Sequence, residues 1–292
     1  MTDGDARTST LVFLRDRIGE LLAPTGCAYD IYPHGSYMKS TQIDPHGDID
    51  IVVELCHPIV TSWRGRMAGP EYAWFKETVA QVLSYDFESM APGLGSMVMW
   101  GQARSVLKVA PVFRGHVRAD LLICQRFLET PPVSLNTAGQ GVVFWDGHGR
   151  PQVSHPKKYI AKFKEKDQRT GGMFTKLVRH LKANHLDLKS GGPSGRRSSL
   201  PGQNVPMDSS LGVSSATLEM VAYGASDIYY SSWNLNSTRK KVYSYLRNVA
   251  ENDRLRESFV PWDLVNDTTY PQWKQFMREG FRMMMSNRKM WA

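Results

Sequence analysis

The chain has 292 residues, of which 41% are apolar and 11% aromatic, so it can bury the core of one large domain or of two lobes. No apolar run approaches the roughly 18 residues that a membrane-spanning helix needs, and residues 1–10 lack the apolar core of a signal peptide. We therefore expect a cytoplasmic protein with no membrane association.

The net charge is +8, and the three cysteines are Cys27, Cys56 and Cys124. Because they are odd in number, far apart and without Cys-x-x-Cys spacing, neither a disulfide framework nor a cysteine-rich zinc site is expected. A basic surface would attract a polyanion, such as nucleic acid or several triphosphates. The same charge also fits a basic surface that is merely solvated.

The first half of the chain mixes helical and strand patterns. Helical spacing of apolar residues predicts an amphipathic helix over 11–22, which Pro24 ends. Alternating polar and apolar residues predict a half-buried strand at 48–53, and helical character returns over 72–83. Further strands are expected at 96–100, 106–113 and 117–123, separated by glycines and charged turns.

The second half is predicted to be mostly helical. Residues 130–156 are rich in Pro, Gly and Asn and predict a long irregular connection. Helices are expected at 157–166, 172–188, 214–224, 240–252 and 270–291. The segment 189–204 is rich in Gly and Ser and predicts a mobile loop. We therefore expect an α+β protein with one domain at 1–150 and a helical domain at 151–292.

Two carboxylates, Asp48 and Asp50, alternate along the predicted strand 48–53. Alternate residues of a strand point to the same face, so the two acids share one face and Ile49, Ile51 and Val53 point to the other. Carboxylate oxygens bind hard cations, and phosphoryl transfer commonly uses two such ions about 3.5–4 Å apart. The pair therefore indicates a metal site for phosphoryl transfer.

A third acid and a small-residue turn complete the pattern. Asp120 lies in an otherwise apolar strand, where an uncompensated carboxylate would be costly to bury. Gly35 and Ser36 precede the strand of the first two acids, and such a turn leaves backbone N–H groups and a hydroxyl available to phosphates. Taken singly, each feature is most often a plain turn or a solvated strand end. Together, at this spacing, they predict a nucleotide-binding catalytic site.

The run Gly35-Ser36, Thr41, Asp48-x-Asp50 and Asp120 resembles the catalytic signature of polymerase-β-type nucleotidyltransferases. The fuller segment HGSYMKSTQIDPHGDIDIVVEL is similar to the bacterial cGAS/DncV-like nucleotidyltransferases (CD-NTases) and to animal cGAS and oligoadenylate synthases. The similarity extends to VSHP at 153–156, FTKLVRHLK at 174–182 and SSATLEM at 214–220. It implies a polymerase-β-like nucleotidyltransferase sheet lobe packed with a helical lobe, with a nucleotide cleft between them.

The resemblance also implies an activity and roles for particular residues. The enzyme would condense nucleoside triphosphates into a cyclic di- or trinucleotide second messenger, in bacterial antiphage defence. Two Mg²⁺ or Mn²⁺ ions would be held by the three catalytic acids, Asp48, Asp50 and Asp120. The donor phosphates would be bound by Gly35 and Ser36, and from the helical lobe by Lys182 and Ser215. Glu219 would brace that lobe rather than react.

The sequence allows several partners and two alternative functions. The substrates would be nucleoside triphosphates, a separate protein would be the downstream effector, and a partner protein or a nucleic acid is a candidate activator. One alternative is nucleotidyl transfer to an RNA end or to a small acceptor. The other is a catalytically silent nucleotide or double-stranded RNA sensor, against which the presence of all three acids argues.

Overall fold

The computed structural model describes residues 3–43, 47–60, 68–90, 98–101, 106–111, 115–128, 140–146, 148–189, 215–231 and 234–251. The chain divides into two compact units, Met1–Ala161 and Lys162–Ala292. The predicted helix at 270–291 and nearly all of the predicted loop at 189–204 lie outside the described residues.

The first unit is a mixed sheet with helices. Its elements are α1 (Asp3–Leu22), β1 (Tyr29–His34), the one-turn α2 (Gly35–Met38), β2 (Ile49–Val60), α3 (Pro70–Met90), β3 (Val98–Trp100), β4 (Val106–Val109), β5 (Ala119–Leu128), β6 (Gln140–Trp145) and β7 (Pro151–Ser154). The strand order is β1-β2-β5-β4-β3, and β6 pairs with both β5 and β7. Strands β2 and β5 run parallel, and the other pairs are antiparallel.

One face of this sheet packs against α1 and α3. Helix α1 contributes Leu14, Ile18 and Leu22, which are spaced four residues apart and are each 1% exposed. Helix α3 adds Phe75, Val79, Leu83 and Phe87 to the same cluster, and the sheet adds residues of alternate positions: Ile49, Ile51, Val53, Leu121 and Ile123. Because strand side chains alternate, Asp50 and Asp120 must point to the opposite face.

The segment 130–156 was predicted to be irregular, and this prediction is wrong for its later part, which contains β6 and β7. Two of the glycines that suggested a loop are needed for other structural reasons. A Cβ on Gly141 would lie 2.7 Å from Nδ1 of buried His155, so strand β6 needs glycine for this close approach. Gly149 has φ +74° in the turn between the two strands. The sheet thus continues past residue 150.

The second unit is helical where it is described. It contains most of α4 (Pro156–Arg169), then α5 (Met173–Lys189), α6 (Ser215–Gly224) and α7 (Leu235–Glu251). Helix α5 buries Phe174, Leu177, Val178 and Leu181 completely, at the spacing of one helical stripe. Buried Lys166 donates to the Ala225 carbonyl oxygen at 2.6 Å and to Asp227 at 2.9 Å, which ties α4 to the segment that follows α6.

Within the described residues, no helix has both the length and the apolar character that crossing a membrane requires.

Candidate active site

Four polar residues form a row across adjacent strands at one end of the sheet. Asp50 on β2 is the register partner of Asp120 on the parallel strand β5 and of His34 on β1. Asp120 in turn pairs with Lys108 on β4. Neighbouring strands lie about 4.8 Å apart, so the register alone brings the two carboxylates side by side on the face away from the core. Both acids are partly exposed.

Gly35 lies directly against the carboxylate of Asp50. It has φ +68°, a conformation that strongly favours glycine. A Cβ at this position would lie 1.8 Å from Oδ2 of Asp50 and 2.5 Å from its Cγ, so no other residue fits without moving the carboxylate. The sequence predicted that Gly35 approaches phosphates closely. In the structure, the group that lies against Gly35 is the Asp50 carboxylate.

Ser36 lies in the one-turn helix α2 directly after Gly35. Its carbonyl oxygen accepts a hydrogen bond from the Thr41 amide at 2.9 Å, and Thr41 is fully buried. The residue before it, Ser40, has φ +55°. The turn that carries Gly35 and Ser36 is therefore closed by a buried anchor at its far end.

Asp48 precedes β2 and pairs with a cation. Its Oδ1 lies 3.1 Å from Nε of Arg118, and the two side chains are 38% and 71% exposed. The backbone reinforces the approach, because the Ile49 amide donates to the Arg118 carbonyl oxygen at 2.9 Å. Asp48 thus sits at the same sheet end as Asp50 and Asp120.

Asp120 also has a cationic partner. The ammonium nitrogen of Lys108 lies 3.3 Å from Oδ2 and 3.4 Å from Oδ1 of Asp120. Among the described residues, no three His, Cys, Asp or Glu side chains form a group that could hold a metal ion as they are arranged here. Asp48 and Asp120, two predicted metal ligands, are each paired with a basic side chain.

A second polar network lies further along the same sheet face. Glu54 is 1% exposed, and it accepts from the Tyr32 hydroxyl at 3.0 Å and from Nε of Arg126 at 2.5 Å. Burial raises the pKa of Tyr32 far above its ordinary value, so this hydroxyl stays protonated and remains a donor. Lys157 lies 2.8 Å from Asp30 and 4.3 Å from the Tyr32 ring centroid. This network ties β1, β2 and β5 to the start of α4.

The second unit holds the remaining predicted site residues. Lys182 and Glu219 form a buried ion pair between α5 and α6, with Nζ 2.5 Å from Oε1 and side chains 4% and 3% exposed. Ser215 is the first residue of α6. The predicted bracing residue, Glu219, is therefore in contact with the predicted phosphate ligand Lys182.

Lys108 and Arg118 were not among the site residues predicted from the sequence. Lys108 is a single cation in the apolar run Val106–Val109, and Arg118 directly precedes β5. The pattern that singled out Asp120, one charged residue in an apolar strand, applies equally to Lys108. What it could not supply is the register that sets these cations beside the acids.

Comparison with known proteins finds similarity in structure. No protein-family profile matches the chain, and neither does any curated protein sequence. The CdnE cyclic dinucleotide synthase of Elizabethkingia meningoseptica, solved with GTP and Apcpp, is 16% identical, with TM-score 0.66 over 96% of this chain and 92% of that chain. The CdnE c-UMP-AMP synthase of Rhodothermus marinus, solved with Apcpp and Upnpp, is 18% identical, with TM-score 0.62 over 97% and 94%.

A third solved structure contains a partner protein. CdnC of E. coli MS115-1, in a complex with HORMA-deltaN, is 13% identical, with TM-score 0.57 over 99% of this chain and 88% of that chain. The mixed sheet and helices of this chain form the polymerase-β-like nucleotidyltransferase fold. More narrowly, the fold is that of the bacterial cGAS/DncV-like CD-NTases, and the similarity covers nearly the whole chain.

Proposed function

We propose that this chain is a metal-dependent nucleotidyltransferase that condenses nucleoside triphosphates into a cyclic di- or trinucleotide. The observation that carries the proposal is the register of Asp50 and Asp120, which sets two carboxylates side by side next to Gly35. Asp48 lies at the same sheet end through its contact with Arg118. The fold shared with cyclic dinucleotide synthases supports the choice of reaction class.

The donor set suits two Mg²⁺ or Mn²⁺ ions. All three acids offer hard carboxylate oxygens, and the missing Cβ of Gly35 leaves the room that the Asp50 carboxylate occupies. Asp48 and Asp50 would hold both ions, and Asp120 would complete the site that receives the attacking hydroxyl. When bound, the ions lower the pKa of that hydroxyl and neutralise the charge of the triphosphate. Arg118 and Lys108 form ion pairs with Asp48 and Asp120 here, and these ion pairs would have to open when the metal ions bind.

The reaction is an in-line displacement at the α-phosphorus. A ribose hydroxyl oxygen of one nucleotide forms a bond to this phosphorus, and the bond to the bridging oxygen of the β-phosphate breaks. Pyrophosphate leaves with the electron pair, and the hydroxyl proton passes to the carboxylate of Asp120. A second transfer closes a dinucleotide ring, and a third is needed for a trinucleotide. Positioning and electrostatic stabilisation supply most of the rate in such transfers.

Binding of the triphosphate is assigned to four residues. In the sheet unit, the Gly35 amide and the Ser36 hydroxyl would bind donor phosphates, and the buried Thr41 anchor holds their turn in place. In the helical unit, Lys182 and Ser215 would reach the triphosphate. Lys182 must then exchange part of its contact with Glu219 for a phosphate, whereas Ser215 stands at the N-terminal end of α6, where backbone N–H groups attract anions.

The biological role that follows is signalling. A cyclic nucleotide acts as a second messenger by binding a separate effector protein, which would serve bacterial antiphage defence. An activating partner or a nucleic acid would switch synthesis on, and the HORMA-deltaN complex of CdnC is a precedent for a protein partner in this fold. The net charge of +8 favours polyanionic ligands of either kind.

Release of pyrophosphate without any acceptor tests the reaction class. The purified protein is mixed with the four nucleoside triphosphates and Mg²⁺ or Mn²⁺, with no RNA or small acceptor, and pyrophosphate is measured enzymatically. We expect metal-dependent release that RNA primers do not increase. Release only when a primer or a small acceptor is added would instead assign the chain to end-addition or acceptor modification. No release under any of these conditions, with candidate partners also added, would favour a silent sensor.

A further inference from the structure

Lys108 is directed to the acid face by the strand that carries it. Its neighbours Leu107 and Val109 are 1% and 3% exposed on the core face, so the alternation of β4 points Lys108 to the other side. Its register partner is Asp120, and its ammonium group is nearly equidistant from both carboxylate oxygens, at 3.3 and 3.4 Å. The strand therefore directs this lysine to the face of the sheet that carries Asp120.

Cations lie beside two of the acids at this sheet end. Nε of Arg118 lies 3.1 Å from the Asp48 carboxylate, and Nζ of Lys108 lies 3.3 Å from the Asp120 carboxylate. Each cation therefore lies where it would repel a divalent ion bound to the same carboxylate.

We propose that Lys108 is a positioning residue that competes with a divalent cation for Asp120. The inference rests on the proposed function, because it concerns the metal ligand that completes the hydroxyl-activating site. Lys108 holds the Asp120 carboxylate in the metal-free protein, and an ion that binds there must displace its ammonium group. The Lys108 side chain is 51% exposed, so it has room to move away when this happens. Lys108 thereby weakens metal binding at Asp120.

The test is the affinity for Mn²⁺ alone, measured from the electron paramagnetic resonance signal of free Mn²⁺ in titrations of the full chain without nucleotide. The Lys108 ammonium group would repel a nearby divalent ion and would also have to leave Asp120 when the ion binds. Since the pair is exposed, we expect Lys108→Met to tighten Mn²⁺ binding by a modest factor, about fivefold or more. Lys108→Arg keeps the charge and should retain the weaker binding.

Two controls restrict the interpretation to Asp120. In Lys108→Met/Asp120→Asn the gain in affinity should disappear, because the site for which the lysine competes is gone. Lys76→Met removes the same charge from α3, which packs against the opposite face of the sheet and sets Lys76 over the Trp100 ring, so Mn²⁺ affinity should not change. Thermal unfolding of each variant checks that it is folded.

Two results would overturn the inference, and they differ in what else they overturn. If Mn²⁺ binds the original chain in a way that needs Asp120, but Lys108→Met leaves or lowers the affinity, the competition is refuted and the proposed metal site stands. If neither chain binds Mn²⁺ in an Asp120-dependent way, the proposed metal site is refuted together with the inference.

Discussion

Asp120→Asn is expected to lower the rate of nucleotidyl transfer by about 10³-fold or more. The amide keeps the size of the side chain but removes the negative charge that would bind the second ion and accept the hydroxyl proton. A loss of this size corresponds to about 4 kcal/mol of transition-state stabilisation, which is reasonable for an electrostatic contact at the reacting atoms. The measurement is pyrophosphate release at saturating nucleoside triphosphate and Mg²⁺.

The control for this variant is Asp16→Asn. Asp16 is also an aspartate paired with a basic side chain, Arg15 at 3.0 Å, but it lies exposed on α1, on the other side of the sheet. It should keep full activity, and both variants should unfold at the temperature of the original chain within a few degrees. Activity of Asp120→Asn near that of the original chain would contradict the role of the acids.

Glu219→Leu is expected to destabilise the protein by about 3–5 kcal/mol. Lys182 and Glu219 are both nearly inaccessible to solvent, so removing the carboxylate leaves the ammonium group buried without its charge partner. Urea unfolding followed by circular dichroism measures the change. Lys176→Met, at an exposed position of the same helix α5, should stay within about 0.5 kcal/mol of the original chain.

The double variant Lys182→Met/Glu219→Leu separates bracing from binding. Replacing both partners of a buried pair by apolar groups of similar volume is often close to neutral, so much of the lost stability should return. If Lys182 also contacts the triphosphate, the double variant will be stable but will bind nucleotide more weakly than the original chain. Restored stability together with unchanged nucleotide affinity would show that the lysine only braces the helices.

The face of the sheet on which Asp50 lies could be predicted from the sequence because Asp48 and Asp50 alternate with Ile49 and Ile51. Ile49, Ile51 and Val53 are all buried on one face, so the position of Asp50 on the other face follows from strand geometry alone. The pairing of Asp50 with Asp120 does not follow, since it depends on β5 lying parallel to β2 after some 60 intervening residues. Sequence periodicity carries no information on which strands become neighbours.

The errors in the predicted fold also arise because local sequence patterns do not show which distant residues become neighbours. Gly141 and Gly149 looked like loop residues, but Gly141 makes room for the buried His155 beside β6 and Gly149 forms a tight turn. Lys108 and Arg118 were missed because they belong to no local motif. They matter because they form ion pairs with Asp120 and Asp48, which only the tertiary structure shows. Local chemistry therefore predicted the acids and the Gly-Ser turn, whereas the residues that compensate the acids required the tertiary structure.

The most direct test of the central claim is the identity of the product. The protein is incubated with the four nucleoside triphosphates and Mg²⁺ or Mn²⁺, the mixture is treated with phosphatase, and the surviving compounds are identified by mass spectrometry. We expect phosphatase-resistant cyclic di- or trinucleotides that are absent when Asp120→Asn replaces the original chain. Consumption of nucleotide that yields only linear, phosphatase-sensitive products would contradict the proposed synthesis of a cyclic nucleotide.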